Sequence, residues 1–398
     1  MLSVSEALAA VLQQVKTLPV EEAALAALPL GRVLAETVGS DIDSPPYTKS
    51  MMDGYAVRAT DGPVTLRIVE EVAAGQMPTK FVQAGEATHI TTGAPIPNGA
   101  DAVVMIEQTQ PISPDEIRIL VPVIAGKNIL ERGTEMKEGE IVLQAGCVLG
   151  PQEFGLLATV GRVAVAVVSK PRVAILTTGD EIVEPSRKPG PGQIRNSNGS
   201  MLLAQSERAG ATPRYLGIAR DTVDSLRALI AVGLERADVL ILSGGVSAGK
   251  FDLVPGVLQE LGVVSHFHKV TMKPGKPLFF GMRQDKLVFG LPGNPVSSFV
   301  CFELFVRPAL RKLSGHADPE PRRTQLPVVG ELHTENDRPT FWPARVELGE
   351  AGFRVRPLPW SGAADLRALH TANALLEIPP GEQRFQTGQL ATVILLEG

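Results

Sequence analysis

The stretch that decides the fold is Ala237-Asp-Val-Leu-Ile-Leu-Ser-Gly-Gly-Val-Ser-Ala-Gly-Lys-Phe-Asp252. Its apolar run, residues 239–242, is short and contains branched side chains, which is typical of a buried strand in a parallel sheet. The run ends in Ser243-Gly-Gly245, at the carboxyl end where open α/β sheets bind ligands. Glycines let backbone N–H groups approach a ligand. A single glycine-rich turn is equally typical of an ordinary strand-to-helix connection, so the rest of the chain must decide.

Strand-like and helix-like runs alternate around this stretch, from residue 172 to residue 313. Strands are predicted at 173–176, 213–218, 239–242, 263–270, 277–281 and 286–290, and helices at 197–209, 221–234, 253–261 and 295–313. Asp221 is the expected N-cap of the second of these helices. Alternation of this kind predicts a doubly wound, mostly parallel α/β/α sheet.

The flanking regions have a different character. Residues 3–16 predict a helix, because Ser3 and Glu6 form a capping box ahead of an apolar face. Residues 63–143 contain short strand-like runs at 64–69, 86–91, 102–106 and 117–120, and a helix with proline in its first turn is predicted at 151–159. A linker at 314–323 precedes a β-like region at 325–397. We therefore expect a multidomain α/β plus β protein.

Composition narrows the functional class. A chain of 398 residues is too long for one core, and 44% hydrophobic with 20% charged residues is an ordinary globular composition. The net charge of −5 and pI of about 5.8 provide no basic footprint for nucleic acid. The sequence has neither a membrane-length apolar run nor a signal-peptide core near Met1, so we expect a cytoplasmic protein. Cys147 and Cys301 are too few for a disulfide framework and are expected to be inert thiols.

Three loops follow predicted strands of the α/β region: Thr177-Thr-Gly-Asp-Glu181, Ser243-Gly-Gly-Val-Ser247 and Leu291-Pro-Gly-Asn-Pro-Val-Ser297. In a parallel sheet they share one edge. Their backbone donors and hydroxyls suit phosphate, and the acceptors Asp180, Glu181 and Asp252 suit Mg²⁺ or the N–H groups of a heterocycle. Lys273-Pro-Gly-Lys276 adds two positive charges for phosphate.

Simpler interpretations exist for each feature. The lysines fit a solvated Pro-Gly turn, Asp180 or Glu181 a helix cap, and Asn294 the cap of a helix starting at Pro295. The convergence of carboxylates, lysines and glycine turns favours a ligand site. His266 and His268 lie one residue apart on a predicted strand, hence on one face, but without a third ligand they do not indicate a metal site. The α/β region contains no nucleophile elbow, Walker loop or dinucleotide fingerprint.

Seven motifs together resemble one family, the molybdopterin molybdenumtransferases (the MoeA and gephyrin E-domain group). They are Ser50-Met-Met-Asp-Gly-Tyr-Ala56, Thr92-Gly-Ala-Pro-Ile-Pro-Asn-Gly-Ala-Asp-Ala-Val-Val104, Thr178-Gly-Asp-Glu181, Gly192-Gln-Ile-Arg-Asn-Ser-Asn198, Ser243-Gly-Gly-Val-Ser-Ala-Gly-Lys-Phe-Asp252, Lys273-Pro-Gly-Lys-Pro277 and Leu291-Pro-Gly-Asn-Pro-Val-Ser297. They run in the family's order from about residue 45 to residue 300.

The resemblance implies a subunit of several parts. The N-terminal helix, 1–20, would pack with the α/β molybdopterin-binding domain, 169–314. Residues 21–40 would join 141–168 in a small linking domain, 41–140 would form a β-rich domain, and 315–398 a C-terminal β-barrel-like domain. Family members are elongated homodimers, whose active site lies between the α/β domain of one subunit and the 41–140 domain of the other.

The implied reaction inserts molybdenum from molybdate into adenylylated molybdopterin and releases AMP, with Mg²⁺ or a similar divalent cation. The resemblance implies catalytic roles for Asp53, Glu181 and Thr92, and metal binding by Asp53, Glu181 and Asp221. The substrate-binding residues would be Asp180, Ser243, Gly244, Gly245, Ser247, Asp252, Lys273, Lys276, Pro292, Gly293, Asn294, Ser297 and Arg345. Other cofactor-biosynthesis proteins are candidate partners, whereas nucleic acid and membranes are not.

Two positions depart from the family pattern. Glu135 stands where the family usually has Asp, and Ala363 where it has a serine tied to the molybdate site, although Ser361 could substitute. Two other functions stay open. A non-catalytic scaffold is disfavoured by the intact Asp53, and a nucleotide pyrophosphatase sharing the molybdopterin-binding fold is disfavoured by the 41–140 and 315–398 domains.

Overall fold

The computed structural model describes residues 1–246 and 253–396. Ser247 and Asp252, two of the predicted substrate-binding residues, lie outside the described residues. The described chain forms seven α-helices: α1 (Val4–Gln14), α2 (Pro151–Thr159), α3 (Ser197–Arg208), α4 (Val223–Arg236), α5 (Val254–Glu260), α6 (Pro295–Cys301) and α7 (Arg307–Leu313). A π-helical turn at Phe302–Val306 joins α6 to α7, which confirms one helical segment over 295–313. None of the described helices is long and apolar enough to span a bilayer.

The strands of the first half of the chain are β1 (Val20–Ala24), β2 (Val38–Gly39), β3 (Lys49–Ser50), β4 (Gly54–Val57), β5 (Thr65–Val72), β6 (Glu86–Ile90), β7 (Ala102–Met105), β8 (Thr109–Ser113), β9 (Glu116–Ile119), β10 (Ile129–Leu130), β11 (Ile141–Leu143), β12 (Ala164–Val168), β13 (Arg172–Thr178), β14 (Ile182–Val183) and β15 (Ile194–Arg195). The second half contributes β16 (Thr212–Ala219), β17 (Val239–Ser243), β18 (Val264–His268), β19 (Phe279–Arg283), β20 (Lys286–Leu291), β21 (Arg323–Pro327), β22 (Leu332–Asn336), β23 (Thr340–Gly349), β24 (Gly352–Pro357), β25 (Ala374–Ile378), β26 (Gly381–Phe385) and β27 (Leu390–Leu395).

The chain divides into two compact units. The larger unit comprises Met1–Ala35, Gly146–Gly150 and Ala164–Gly398, and the smaller unit comprises Glu36–Ala145 and Pro151–Val163. The finer five-part division expected from the sequence stays a prediction.

A six-stranded sheet organises the larger unit, with the order β16-β13-β17-β20-β19-β18. Strands β16, β13, β17 and β20 are parallel, and β19 and β18 continue the sheet in antiparallel fashion. The stretch at 239–243 is the third strand in and is fully buried, as its apolar run predicts. Thr177 pairs with Ser243, and Ser243 with Leu291, so the three predicted loops begin at one carboxyl edge.

Helices cover both faces of this sheet, which confirms the doubly wound fold. One core packs α1, α3, α6 and α7 against Phe280 and Phe289, and the other packs α4 and α5 against Leu240 and Val288. Helix α1 has the predicted capping box, in which Glu6 N donates to Ser3 Oγ and Ser3 N donates to Glu6 Oε2. Cys301 is completely buried, and burial raises the pKa of its thiol, so it is inert as expected; Cys147 is only half-buried.

Two local predictions in this unit are wrong. Helix α4 begins at Val223 with Thr222 as its N-cap, because the Thr222 hydroxyl accepts from Ser225 N; Asp221 is therefore not the cap. A bulge between Ser265 and Phe267 breaks the alternation of β18.

The bulge separates the two histidines that were expected on one face. The His266 ring packs at a tilt against Phe280, with 5.4 Å between the ring centroids. The His268 ring packs edge to face against Phe279, with 5.9 Å between the centroids. Because Phe279 and Phe280 are consecutive on β19, they point to opposite faces of the sheet. His268 instead has Nε2 2.6 Å from the carbonyl oxygen of Val246.

The smaller unit is built on a mixed sheet with the order β7-β4-β6-β5-β9-β8, in agreement with its predicted β character. Gly54 begins the buried strand β4, and a Cβ there would lie 2.0 Å from the carbonyl oxygen of Val104. Only glycine permits β7 to approach this closely. Helix α2 spans Pro151–Thr159, as predicted.

The C-terminal part of the larger unit is rich in strands. Strands β21-β27-β25-β23-β24 form an antiparallel sheet, and β22 pairs with β26. Alternate residues such as Ala344, Leu376 and Val393 fill its core. This agrees with the predicted C-terminal β region.

Candidate functional site

The glycine corner after β17 requires its two glycines. Gly244 and Gly245 have φ of +94° and +65°, which L side chains rarely adopt. A Cβ on Gly244 would lie 2.5 Å from Thr178 O, and one on Gly245 would lie 2.7 Å from a methyl carbon of Val254. The turn therefore packs directly on the end of β13. Gly244 N donates to Leu291 O at 3.1 Å, which ties it to β20 as well.

Asn198 joins two of the three loops. Its amide Nδ2 donates to Ser243 Oγ and to Gly293 O, both at 2.8 Å. It lies buried in the first turn of α3, where Asn196 is the N-cap. Asn198 stands within one of the seven sequence motifs, but no role was predicted for it. One sequence signal could have indicated a role for Asn198. A second asparagine follows the N-cap just inside the helix, and asparagine has a low helix propensity at such a position.

Three carboxylates lie at the same edge. Asp180, Glu181 and Asp221 are all exposed, and the backbone N–H of Asp221 donates to Asp180 Oδ1 at 3.3 Å. The Glu181 carboxylate folds back over Gly179, since a Cβ on that glycine would lie 2.6 Å from Glu181 Oε2. Hard carboxylate oxygens are what Mg²⁺ takes, together with water and substrate phosphate. Across residues 1–246 and 253–396, no three His, Cys, Asp or Glu side chains are close enough to hold a metal by themselves.

A cavity of about 440 Å³ contains the predicted lysine pair. Lys273 and Lys276 lie in the loop that follows β18. The last residue of β18, His268, pairs with Phe279 of β19, and Phe279 pairs with Gly290 near the carboxyl end of β20. The loop with the two lysines therefore lies at the same carboxyl edge of the sheet. The remaining lining residues are Met272, Pro274, Gly275, Pro277, Ser297, Arg338, Trp342, Trp360, Ser361, Gly362 and Ala363. Three cationic side chains thus share one cavity.

Both tryptophans of the chain line this cavity. Trp342 and Trp360 pack edge to face, with ring centroids 4.9 Å apart. Their indole N–H groups donate to Leu358 O and Gly362 O. The rings offer a planar apolar surface beside the positive charges.

The C-terminal segment holds Lys273 in place. Lys273 Nζ donates to Asn336 Oδ1 at 3.0 Å, its backbone N donates to Pro339 O at 2.8 Å, and Phe341 N donates to Lys273 O at 2.7 Å. Asn336 and Arg338 were both missed by sequence reasoning, because neither stands in a recognisable motif. The predicted Arg345 lies on β23 opposite Arg356 and is exposed, whereas Arg338 lines the cavity.

Ala363, one of the two departures from the family pattern, and its possible substitute Ser361 both line this cavity. Ser361 Oγ donates to Asp365 Oδ2 at 2.8 Å, so its proton is already committed. Ala363 lines the cavity and accepts from Val296 N through its backbone oxygen. Glu135, the other departure, lies in the smaller unit and accepts from Ser44 Oγ at 2.7 Å.

The third loop supplies further polar groups. Ser297 is 4% exposed and lines the lysine cavity, Pro292 is buried, and Gly293 and Asn294 are exposed. Asn294 occupies the N-cap position of α6, but its side chain makes no capping hydrogen bond. Its amide is therefore not used as the cap that the simpler interpretation proposed.

In the smaller unit, Asp53 and Thr92 meet. Thr92 N donates to Asp53 Oδ1 at 2.7 Å, and Ile106 N donates to Asp53 O at 3.1 Å. The backbone hydrogen bond from Thr92, followed by its side chain, lowers the pKa of Asp53. Both residues are exposed. This pair is an oriented, ionised carboxylate on a rigid turn, which suits metal binding or proton acceptance.

The chain is similar to known proteins along nearly its whole length. Three family models match in succession: the MoeA N-terminal region (domain I and II) at residues 2–161, the "Probable molybdopterin binding domain" at 174–312, and the MoeA C-terminal region (domain IV) at 325–396.

Relatives and solved structures agree along nearly the whole chain. The molybdopterin molybdenumtransferase of Staphylococcus aureus (strain Mu50 / ATCC 700699) is 34% identical over 99% of this chain and 95% of its own, and that of Bacillus subtilis (strain 168) is 36% identical over 92% and 88%. Two structures of the molybdopterin biosynthesis MoeA protein from Pyrococcus horikoshii have TM-scores of 0.82 and 0.83, at 34% and 31% identity, over at least 99% of this chain and 100% of theirs. The chain therefore belongs to the molybdopterin molybdenumtransferases, the transferase family of molybdenum cofactor biosynthesis.

Proposed function

We propose that the chain transfers molybdenum from molybdate to adenylylated molybdopterin, with release of AMP. The observation that carries this proposal is the cavity shared by Lys273, Lys276, Arg338 and the two indoles, at the sheet edge that also holds the glycine corner. Molybdate is a dianionic oxyanion, and three cations in one concave site suit it. The planar rings of the organic substrate would lie against an indole.

The glycine corner and Asn198 would bind the rest of the substrate. Gly244 and Gly245 let the chain turn tightly against Thr178 and Val254 at the sheet edge, and Asn198 holds the Ser243 and Gly293 loops at a fixed separation. Ser247, Asp252 and Asn294 complete the proposed contacts. Arg338 replaces Arg345 as the proposed oxyanion-binding arginine, because only the former lines the cavity.

Asp180, Glu181 and Asp221 would each supply carboxylate oxygens to a divalent cation such as Mg²⁺, with water and substrate phosphate as its other ligands, and the cation would neutralise charge on the pyrophosphate. Asp53, kept ionised by Thr92, would take the proton from the attacking water. The water oxygen then bonds to the phosphorus on the molybdopterin side, the P–O bond to AMP breaks, and AMP leaves with the electron pair. In the insertion step the two dithiolene sulfurs bond to molybdenum, and one molybdate oxygen leaves as water with the two thiol protons.

We further propose that the functional unit is a cytoplasmic homodimer. Asp53 belongs to the smaller unit, while the glycine corner, the carboxylates and the lysine cavity all belong to the larger one. A site shared between subunits would let Asp53 of one chain serve the sheet edge of another. The product would pass to other proteins of cofactor biosynthesis.

Intrinsic fluorescence tests the oxyanion site directly, because both tryptophans line the cavity. Molybdate should change the emission of the wild type, and Lys276→Gln should weaken this response about tenfold. The matched control is Lys127→Gln, an exposed lysine of the smaller unit. An unchanged response in Lys276→Gln would contradict the assignment.

AMP release from adenylylated molybdopterin separates the proposed function from its alternatives. The transferase should release AMP in a molybdate-dependent manner. Release that ignores molybdate would identify a pyrophosphatase, and binding without any release would identify a scaffold. Either result would overturn the proposal.

A further inference from the structure

A second cavity lies at the opposite edge of the α/β sheet. Its volume is about 230 Å³, and its lining includes Arg32, Lys170, Arg208, Gly210, Arg307 and Arg311. Lys170 precedes β13 and Gly210 precedes β16, and the first residues of these strands, Arg172 and Thr212, are paired. The cavity is therefore at the amino edge. The seven-residue β13 separates the two edges by roughly 20 Å, so this cavity is not part of the candidate active site.

The lining of this amino-edge cavity is strongly cationic. Five positive side chains line it, together with one carboxylate, that of Glu207: the cations are Arg32, Lys170, Arg208, Arg307 and Arg311. They come from separate parts of the chain, so no single amphipathic face accounts for their meeting. A concave site with several fixed cations is typical of anion recognition.

Two of the arginines are held rigidly below the surface. The Arg32 side chain is 9% exposed and donates to Glu21 Oε1 at 2.6 Å and to Val168 O at 2.7 Å. The Arg307 side chain is 7% exposed and pairs with Glu303 Oε2 at 2.7 Å. Glu303 also accepts from Arg208 at 2.8 Å, so one buried carboxylate serves two guanidinium groups. These pairs orient the cations before any ligand arrives.

Helix electrostatics explain only part of the cluster. Arg208 and Arg311 stand in the last turns of α3 and α7, where a cation is favoured by the helix dipole. Arg32 and Lys170 lie outside any helix, and Arg307 lies in the interior of the continuous helical segment 295–313, where the helix dipole does not favour a cation. The helix dipole therefore does not account for the positions of these three cations.

We infer that the amino-edge cavity is a binding site for a small phosphoryl-type oxyanion. Arginine and lysine together recognise such groups through charge-assisted hydrogen bonds. The volume is below the roughly 300–1,000 Å³ of pockets for drug-sized ligands. It therefore fits an inorganic oxyanion or a phosphomonoester of a few carbons, and it is too small for a pterin nucleotide. Bound there, the anion joins the N-terminal segment around Arg32 to helices α3 and α7.

Calorimetric titration with inorganic phosphate, at constant ionic strength in chloride, tests this inference. The Lys276→Gln background is used because it weakens oxyanion binding at the carboxyl edge. This protein should still bind one phosphate per chain, without a change in tryptophan fluorescence. Adding Lys170→Gln should weaken that binding about tenfold, whereas adding Lys127→Gln should leave it unchanged. Lys170 is the variant of choice because it is only half-buried, so its replacement disturbs packing least.

A second titration with glycerol phosphate identifies the source of the ligand. Similar affinity for both probes assigns the site to phosphomonoesters as well, and binding of inorganic phosphate alone assigns it to free oxyanions. The inference is overturned if Lys170→Gln and Lys127→Gln bind phosphate equally well. It is also overturned if Lys276→Gln alone removes all phosphate binding. Neither result depends on the proposed transferase reaction.

Discussion

The ammonium group of Lys273 donates a hydrogen bond to Oδ1 of Asn336 across 3.0 Å. Asn336 is 6% exposed, and its Nδ2 donates onward to Thr334 Oγ1 at 2.6 Å. The amide orientation is thereby fixed, with its oxygen facing the lysine. The strand-rich C-terminal segment therefore orients this charge at the sheet edge, so both parts of the larger unit build the lysine cavity.

Replacing Asn336 by Leu should weaken molybdate binding about tenfold, because Lys273 loses the acceptor that orients it. Asn336→Asp keeps an oxygen facing the ammonium and should retain more affinity than Asn336→Leu. Tryptophan fluorescence reports both values. The matched control is Asn373→Leu, which removes hydrogen bonds to Val346 elsewhere in the same segment. Equal losses in Asn336→Leu and Asn373→Leu would show that Asn336 acts only through general stability.

The sequence predicted the sheet edge well but not the side of the cavity that the C-terminal segment provides. Strands, loops and lysines follow from local patterns, because hydrophobic runs and glycine turns are encoded within a few residues. The contact between Lys273 and Asn336 spans 63 residues and depends on how two sheets pack, which no periodicity records. The bulge in β18 was not predicted, because the prediction assumed that successive side chains alternate between the two faces of the strand. An inserted residue such as His266 breaks that alternation.

Gly244→Ala should destabilise the protein by roughly 2 kcal/mol or more, because its φ is +94° and the new Cβ would lie 2.5 Å from Thr178 O. The matched control is Gly256→Ala. Gly256 is an exposed helical residue of α5, and nothing lies within 4 Å of the position that a Cβ would take there. That change should instead stabilise the protein by up to about 1 kcal/mol. Urea unfolding measures both, and similar effects would refute the steric argument.

The free energy of unfolding should depend on pH in the acid range through the ionisation of Asp53. Hydrogen bonds from Thr92 lower its pKa in the folded state from the ordinary value of 3.8. The carboxylate therefore contributes stability that is present above about pH 3.8 and is lost as the pH falls through the lowered folded-state pKa. The stability advantage of the wild type over Asp53→Asn should be constant near neutral pH and shrink below pH 3.8. An advantage that grows as the pH falls would contradict the sign of the shift.

Mixed dimers should reveal whether the active site is shared. Asp53→Asn and Glu181→Gln should each abolish AMP release while still binding adenylylated molybdopterin. We expect complementation if Asp53 of one subunit and Glu181 of the other form one active site. About half of the randomly formed dimers then contain one subunit of each variant, and each of these dimers has one intact site out of two. About a quarter of wild-type activity should therefore return. A protein carrying both changes, mixed with wild type, controls for subunit exchange. Failure of the two single variants to complement, despite exchange, would place both residues in one subunit's site.

Restoring the family serine at position 363 should tighten molybdate binding. Ala363 lines the lysine cavity, and Ser361 cannot offer its proton because it already donates to Asp365 at 2.8 Å. Ala363→Ser therefore adds a hydroxyl donor among Lys273, Lys276 and Arg338, and one charge-assisted hydrogen bond should improve affinity about tenfold. Ala351→Ser, an exposed position in the turn between β23 and β24, is the control for an added hydroxyl. Unchanged affinity in Ala363→Ser would mean that the hydroxyl does not reach the bound oxyanion, so the cationic side chains alone would account for its recognition.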